Sequence, residues 1–190
     1  MFIAIRLAAF TLLSVVSALG TEAPKLWPSP NHKAVASAIT RLYPGKPDRP
    51  DLSWQDVSFK DTKGHLLASL SLEEGTGINR ALVSEALWSP DSRFFVFATW
   101  SSGGHSSWHS PTYVYDATTS DIYSIDDTIK SVTGESETQI QFTKVDTLRL
   151  RFWDGENAQP DASPAEIDLI KFVKKYPKVA LGAHRFISFP

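Results

Sequence analysis

The polar run Ser101–Pro111 holds the residues in this sequence most suited to chemistry, two histidines among serines and glycines. His105 and His109 are four positions apart, and imidazole is a common ligand of zinc and copper. The surrounding glycines and serines predict a loop and not a helix. The pair is a candidate metal site whose third ligand would come from elsewhere, such as Asp116 or His65. The alternative is a surface loop in which both histidines make hydrogen bonds.

Serines beside these histidines raise the alternative of a hydrolase. Ser106 and Ser107 follow His105 directly, but a serine nucleophile also needs a held base and an oxyanion hole. The Gly-x-Ser-x-Gly motif that presents the nucleophile in α/β-hydrolases is absent. The sequence therefore favours a non-enzymatic protein. A hydrolase that uses His105 or His109 remains the alternative.

Aromatic residues in and around the same loop suit contact with a ligand. Trp108 lies within the loop, and Trp100 and Tyr113 flank it. Ring faces beside hydrogen-bonding groups suit sugars or peptides, because stacking adds contact area at little entropy cost. Alternatively, Trp100 and the tyrosine pack within a sheet. The predicted contact residues, for a protein partner or a small ligand that the sequence does not identify, are Trp100, His105, Trp108, His109 and Tyr113.

Strand-forming segments on both sides are expected to hold this loop. Ala81–Trp88 is largely apolar, Arg93–Trp100 is rich in β-branched and aromatic residues, and Ser-Pro-Asp-Ser between them favours a turn. Similar patterns predict hairpins at residues 54–59 with 65–72, 112–116 with 122–125, and 139–143 with 147–153. The sequence thus predicts a mostly β fold of antiparallel meander sheets, arranged like propeller blades or as a sandwich.

Two further segments are predicted to be helical. Ser29 and Pro30 suit the N-cap and the first helical position, and apolar residues from Val35 onward recur at helical spacing until Gly45. This pattern predicts an amphipathic N-terminal helix. A second, C-terminal helix is predicted after the sequence at 163–166, which has the form of a capping box, although Ile167, Leu169 and Ile170 also suit a strand.

Three short motifs follow one another within residues 85–126: Leu87–Arg93, Phe94–Ala98 and Tyr113–Asp116. In this order they resemble one blade of the WD40-like repeat found in TolB-type propellers and in the propeller domains of prolyl-oligopeptidase-like enzymes. In that family a Trp-Ser-Pro-Asp turn joins the first two strands, although a glycine usually stands where this chain has Ser92. The resemblance implies a scaffold for protein or small-ligand contacts and carries over no catalytic residues. No second copy of the motif, and no repeat period, is predicted.

The composition of the 190-residue chain narrows the classes of function. Cysteine is absent, which excludes disulfides and thiolate metal sites, so packing alone must stabilise the fold. The net charge is −2, with no long basic run, which argues against binding to nucleic acid. Residues 73–77 are glycine-rich but lack the lysine of a phosphate-binding loop. The sequence therefore predicts neither a nucleic-acid partner nor a cofactor.

The first residues have the pattern of an export signal. Arg6 precedes the uncharged apolar run Leu7–Val16, and small residues follow it, which is the order found in secretory signal peptides. The run is shorter than the roughly 20 residues of a membrane-spanning helix. We therefore expect a signal peptide at 1–20, a periplasmic or secreted location and no membrane span after cleavage. Residues 21–50 then form a Pro-rich segment with the helix, and 51–190 a single β-rich domain.

Overall fold

A computed structural model describes residues 23–42, 53–72, 81–101, 111–125, 136–154 and 165–179. These residues form eleven strands and one helix. The elements are β1 Lys25–Pro28, β2 Ala34–Leu42, β3 Ser53–Asp61, β4 Leu66–Ser71, β5 Ala81–Trp88, β6 Phe94–Ser101, β7 Thr112–Asp116, β8 Asp121–Ser124, β9 Ser136–Phe142, β10 Thr147–Asp154, β11 Ala165–Asp168 and α1 Leu169–Lys175. The predicted mostly β fold and its hairpins are confirmed.

The strands form three antiparallel meander sheets. Strands β1 to β4 form the first sheet and β5 to β8 the second, each strand pairing with the next in the chain. The first two sheets meet through a single parallel pair, Trp54 with Ala81. The third sheet has the order β11-β10-β9. Residues 85–126, which resemble a propeller blade, thus include most of one four-stranded meander.

The second sheet is covered on both faces. Successive side chains of a strand point to opposite faces, and from Phe94 to Ala98 in β6 both sets are apolar. Phe95 and Phe97 belong to the core shared with the first sheet, where Phe95 lies edge-on to Phe59 with 5.6 Å between ring centroids. Phe94 and Val96 belong to the core shared with the third sheet. Phe94 to Phe97 are all buried, so β6 is a central strand, as its apolar sequence predicts.

The predicted N-terminal helix is wrong, because residues 25–42 form strands β1 and β2 of the first sheet. Ala34, Ala36 and Ala38 are buried in the core between the first and second sheets. In a run of small and apolar residues, the alternating pattern of a strand and the spacing of a helix both fit. Full-length pairing of β2 with β3 decides between them, and the residues of this run alone do not contain that information.

The predicted C-terminal helix exists but begins later than its apparent capping box. Residues 165–168 form β11, which pairs with β10, and the helix starts at Leu169. Asp168 caps it, since its carboxylate accepts the backbone N–H of Lys171 at 3.0 Å. Leu169 and Phe172 bury one face of the helix against the third sheet. No helix in the described ranges is long and apolar enough to cross a membrane.

The turns that precede β2 and β6 have the same structure. In one, the backbone N–H of Ser29 donates to the carbonyl of Ala34 at 2.9 Å, and in the other Ser89 donates to Phe94 at 2.7 Å. Each serine hydroxyl also accepts the N–H of that same partner, at 3.0 and 2.9 Å. Strands β2 and β6 therefore both begin at a buried residue, Ala34 or Phe94, that makes the same two hydrogen bonds to a serine.

The side chains that follow complete the match. Asn31 in the first turn and Asp91 in the second each accept the N–H of the residue two positions later. His32 and Ser92 both have positive φ, 56° and 66°. The first and second sheets are therefore two copies of one meander, and the expectation of no repeat is wrong. Its signal in the sequence was Ser-Pro-Asn-His-Lys and Ser-Pro-Asp-Ser-Arg, whose serines are 60 positions apart.

Candidate functional site

The strand directions give the stack of sheets two different ends. At one end of the first two sheets, which we call the turn end, short turns join β1 to β2, β3 to β4, β5 to β6 and β7 to β8. The strand termini at the opposite end of these two sheets, the loop end, adjoin four ranges outside the described residues: 43–52, 73–80, 102–110 and 126–135. Binding residues concentrate in loops on rigid scaffolds, so the loop end is the candidate functional site.

The predicted loop Ser101–Pro111 is anchored in the two central strands of the second sheet. Strand β6 ends at Ser101, and β7 begins at Thr112. Buried Thr99 donates twice to the carbonyl of Pro111, through its backbone N–H at 2.8 Å and its hydroxyl at 3.0 Å. Both ends of the loop are therefore fixed to a strand whose faces are buried.

The structure places two of the five predicted contact residues on this scaffold. Trp100 lies in β6, opposite Leu82. Tyr113 lies in β7, where its half-buried ring stacks on Phe97 with 5.2 Å between centroids and packs against the core shared with the first sheet. Outside the described residues are His105, Trp108 and His109, so their predicted roles in binding and in metal coordination stay predictions.

The two proposed third ligands of a metal lie at the turn end, away from the strand ends that flank the loop. The Nδ1 of His65 is 2.9 Å from a carboxylate oxygen of Asp61 in the β3–β4 turn. Asp116 is buried and accepts two hydrogen bonds from Arg93, at 3.0 and 3.3 Å. Burial acts to raise the pKa of Asp116, but bonds from Arg93 and Thr118 prevail and lower it. Among the described residues, no three acidic, histidine or cysteine side chains are grouped to hold a metal.

A polar cluster that the sequence interpretation missed lies near the loop end, on the outer face of the first sheet. Asp56 in β3 accepts hydrogen bonds from Arg41 Nε at 2.9 Å, Trp54 Nε1 at 3.2 Å and Ser71 Oγ at 2.8 Å. The cluster lines an open depression of about 750 Å³. Its residues come from three strands, so only the alternation of Trp54 and Asp56 along β3 could have indicated it.

The repeat shows that this outer face is built differently from its counterpart in the second sheet. In the second sheet, Phe97 and Tyr113 form a cross-strand pair that packs toward the first sheet. The equivalent pair in the first sheet is Ser37 and Ser58, whose hydroxyls are 2.8 Å apart. Small polar residues thus replace aromatic ones. At these two positions the outer face of the first sheet is therefore polar, while Ile39 and Trp54 line the same depression.

A buried amide joins the first and second sheets near the loop end. The Oε1 of Gln55 accepts the backbone N–H of Val83 at 2.8 Å, and its Nε2 donates to Thr40 Oγ1 at 3.3 Å. Gln55 lies next to Trp54, the residue through which β3 pairs with β5. The side chain therefore continues the contact beyond the point at which the two backbones pair. The hydrogen bond from Val83 to Gln55 fixes the loop-end termini of the first sheet relative to those of the second sheet.

No known family and no curated protein matches the chain. Among solved structures, the chain is similar to the periplasmic gluconolactonase of Pseudomonas aeruginosa, with a TM-score of 0.35 and 13% sequence identity. The match covers 78% of this chain and 55% of the gluconolactonase. The chain thus spans about half the length of that protein.

Proposed function

We propose that this protein is an exported, non-enzymatic, propeller-like scaffold that binds a protein partner or small ligand at its loop end, mainly through Ser101–Pro111. The observation that carries the proposal is the separation of the two ends. All four short turns within the first two sheets lie at the turn end, and the strand termini next to residues 43–52, 73–80, 102–110 and 126–135 lie at the loop end. Segments that connect the strands of a rigid scaffold at one end are a common place for binding residues.

The anchoring of the loop supports the same proposal. Thr99 fixes Pro111 with two hydrogen bonds, and β6 is packed on both faces. A rigid base reduces the conformational entropy lost on binding. The predicted signal peptide supports export, to the periplasm or the medium. The blade resemblance and the repeated meander support a propeller-like arrangement of the sheets.

The test compares capture by loop-end and turn-end variants of the processed chain. In the first variant Trp108 and His109 are both replaced by alanine, and in the control Thr62 and Lys63 in the β3–β4 turn are replaced. We expect a protein from the native envelope or medium to be retained by the wild type and the control and lost by the loop variant. Small ligands are screened by the shift in melting temperature of the same three proteins.

The stability of the loop variant decides how a loss of capture is interpreted. We expect its melting temperature to stay within about 2 °C of the wild type, because surface substitutions usually change stability by less than about 0.5 kcal/mol. Equal retention by all three proteins, with equal ligand-induced shifts, contradicts binding through this loop. A large fall in melting temperature contradicts it as well, since the two residues would then be structural.

A further inference from the structure

Strand β4 lies at an edge of the first sheet. It pairs with β3 on one side, and in the described ranges no second strand pairs with its other side. The backbone N–H of Leu72 donates to the carbonyl of Gln55 at 2.9 Å. Hydrogen-bonded pairs alternate along an antiparallel ladder, so Leu70 also bonds to β3 and the backbone groups of Ser69 and Ser71 point away from it.

This edge lacks the usual protection against further pairing. Natural edge strands are kept from pairing by charges, proline, short length or cover. Strand β4 has six residues, Leu-Leu-Ala-Ser-Leu-Ser, none of which is charged or proline. Leu66 is 59% exposed, and Leu70 is half-buried against the core shared with the second sheet. A further strand along β4 would bond to its outward backbone groups and cover Leu70.

Other edge strands in the described part of the chain carry this protection. Strands β1 and β11 have four residues each; β1 contains Lys25 and Pro28, and β11 contains Glu166 and Asp168. The edge strand of the third sheet on the other side, β9, contains Glu137. The uncharged sequence of β4 is therefore not a general property of the edges of this fold.

The equivalent strand of the second sheet shows what such an edge accepts. Because the first and second sheets are two copies of one meander, β8 corresponds to β4. Tyr123 in β8 forms an antiparallel bridge with Lys178, and the carbonyl of Ile122 accepts the N–H of Val179 at 2.7 Å. An extended segment of the chain thus covers the edge of β8, and the same kind of segment fits β4.

A second β4 strand is such a segment, because β4 is complementary to itself. If two copies lie antiparallel about a two-fold axis at Leu70, Ser69 of each copy lies opposite Ser71 of the partner subunit. Each of these serine pairs can exchange two backbone hydrogen bonds. The two Leu70 side chains meet at the axis, and no charges of β4 repel one another. An interface of this kind is closed by its two-fold symmetry.

We propose that two copies of this chain associate through their β4 edges, so that their first sheets join into one continuous antiparallel sheet. The interface does not include Ser101–Pro111, so it is independent of the binding proposed for that loop. A single pair of strands buries less surface than a standard interface of about 1,600 Å² and belongs to the weak, transient class. We therefore expect a dissociation constant of about 10–100 µM.

Sedimentation velocity of the processed chain tests the association. From about 1 to about 300 µM, we expect the chain to change from monomer to dimer, and to form nothing larger because the two-fold interface is closed. A monomer over the whole range overturns the proposal. Continued growth beyond the dimer overturns it as well.

Two double variants that differ only at position 69 test the interface. Ser69→Lys with Ser71→Lys places lysines opposite each other in both serine pairs and should raise the dissociation constant at least about fivefold. Ser69→Asp with Ser71→Lys places opposite charges there and should associate at least as tightly as the wild type. Both serines are exposed, and both variants lose the bond from Ser71 to Asp56. Equal dissociation constants for the two variants overturn the proposal.

A measurement on the wild type keeps the proposal testable if the variants do not fold. Amide hydrogen exchange is compared at about 1 and about 300 µM by mass spectrometry with fragmentation to single residues. We expect exchange at Ser69 and Ser71 to slow at least about threefold at the higher concentration, and exchange at Leu70, which already bonds to β3, to slow less. Exchange at the two serines that does not depend on concentration overturns the proposal.

Discussion

Among single residues, Asp116 is the clearest case of a side chain whose role is structural. Arg93 donates to both of its carboxylate oxygens, and Thr118 donates through its backbone and its hydroxyl. Thr118 thereby holds the turn that leads into β8. A carboxylate this buried is stable only because these donors replace water. Asp116 at the end of β7 therefore stabilises the second sheet.

We expect Asp116→Ala to reduce the free energy of unfolding by about 3 kcal/mol at pH 7, because it leaves the partly buried Arg93 without its partner. Since the pKa of Asp116 is lowered in the folded state, its contribution is present above the unfolded pKa and is lost as the pH falls through the folded value. The wild type should thus lose its advantage over the variant in acid. Urea denaturation at pH 7 and below pH 4 measures both effects.

Asp121 provides the matched control, because it pairs with Lys178, whose side chain is 64% exposed. Asp121→Ala should cost no more than about 1 kcal/mol, as is typical of ion pairs near the surface. Equal costs for the two substitutions would contradict the structural role given to Asp116.

The two parts of the candidate site differ in how far they could be predicted from single residues of the sequence. The loop Ser101–Pro111 was identifiable because its glycines and serines favour a loop and because two histidines lie among them, and the structure places its flanks on central strands. The cluster around Asp56 was identifiable only in part, from the alternation of Trp54 and Asp56 along β3. Arg41, Asp56 and Ser71 lie on three different strands, and they meet only because the register of those strands brings them together.

At the scale of elements, turns predicted the fold better than periodicity did. Each predicted hairpin had a turn sequence between two apolar runs, and the structure contains them. The N-terminal helix was wrong because its alanine-rich run fits both periods. The same Ser-Pro turn that correctly predicted the β5–β6 hairpin also precedes β2. Turn residues specify backbone angles directly, whereas small apolar residues fit either element.

If the two turns are equivalent, their sequences should be exchangeable. The triple variant Asn31→Asp, His32→Ser and Lys33→Arg gives the first turn the sequence of the second. We expect its free energy of unfolding to stay within about 1 kcal/mol of the wild type, since each hydrogen bond of the turn can be kept. Urea denaturation provides the measurement.

The contrasting variant removes a bond that the turn requires. Ser89→Ala leaves the buried N–H of Phe94 without the hydroxyl that accepts it at 2.9 Å. This should cost about 1–2 kcal/mol, within the range for a polar group that loses a buried partner. A triple variant as unstable as Ser89→Ala would show that the two turns are not interchangeable.

At the scale of the whole molecule, the stacking order of the sheets could not be predicted from the sequence. Alternation indicates which residues share a face, but not which sheet covers that face. The aromatic face of the second sheet meets alanines of β2, among them Ala36 and Ala38, which make room for its rings. The ring of Phe59 lies parallel to that of Tyr115, with 3.8 Å between centroids. Large aromatic side chains of one sheet thus pack against small alanines of the other. This complementarity between distant parts of the chain determines the stacking order.

The position of the second sheet predicts how the molecule opens. Amides exchange through local and partial unfolding whose cost rises with the apolar contacts broken. Opening β6 exposes both cores, because Phe94 and Val96 contribute to one and Phe95 and Phe97 to the other. Opening the first or third sheet exposes only one core. We therefore expect hydrogen exchange, followed by mass spectrometry, to be slowest in β6 and fastest in the edge strands β4 and β11. Slower exchange in β3 or β10 than in β6 would mean that an outer sheet, and not the central one, forms the most stable part of this fold.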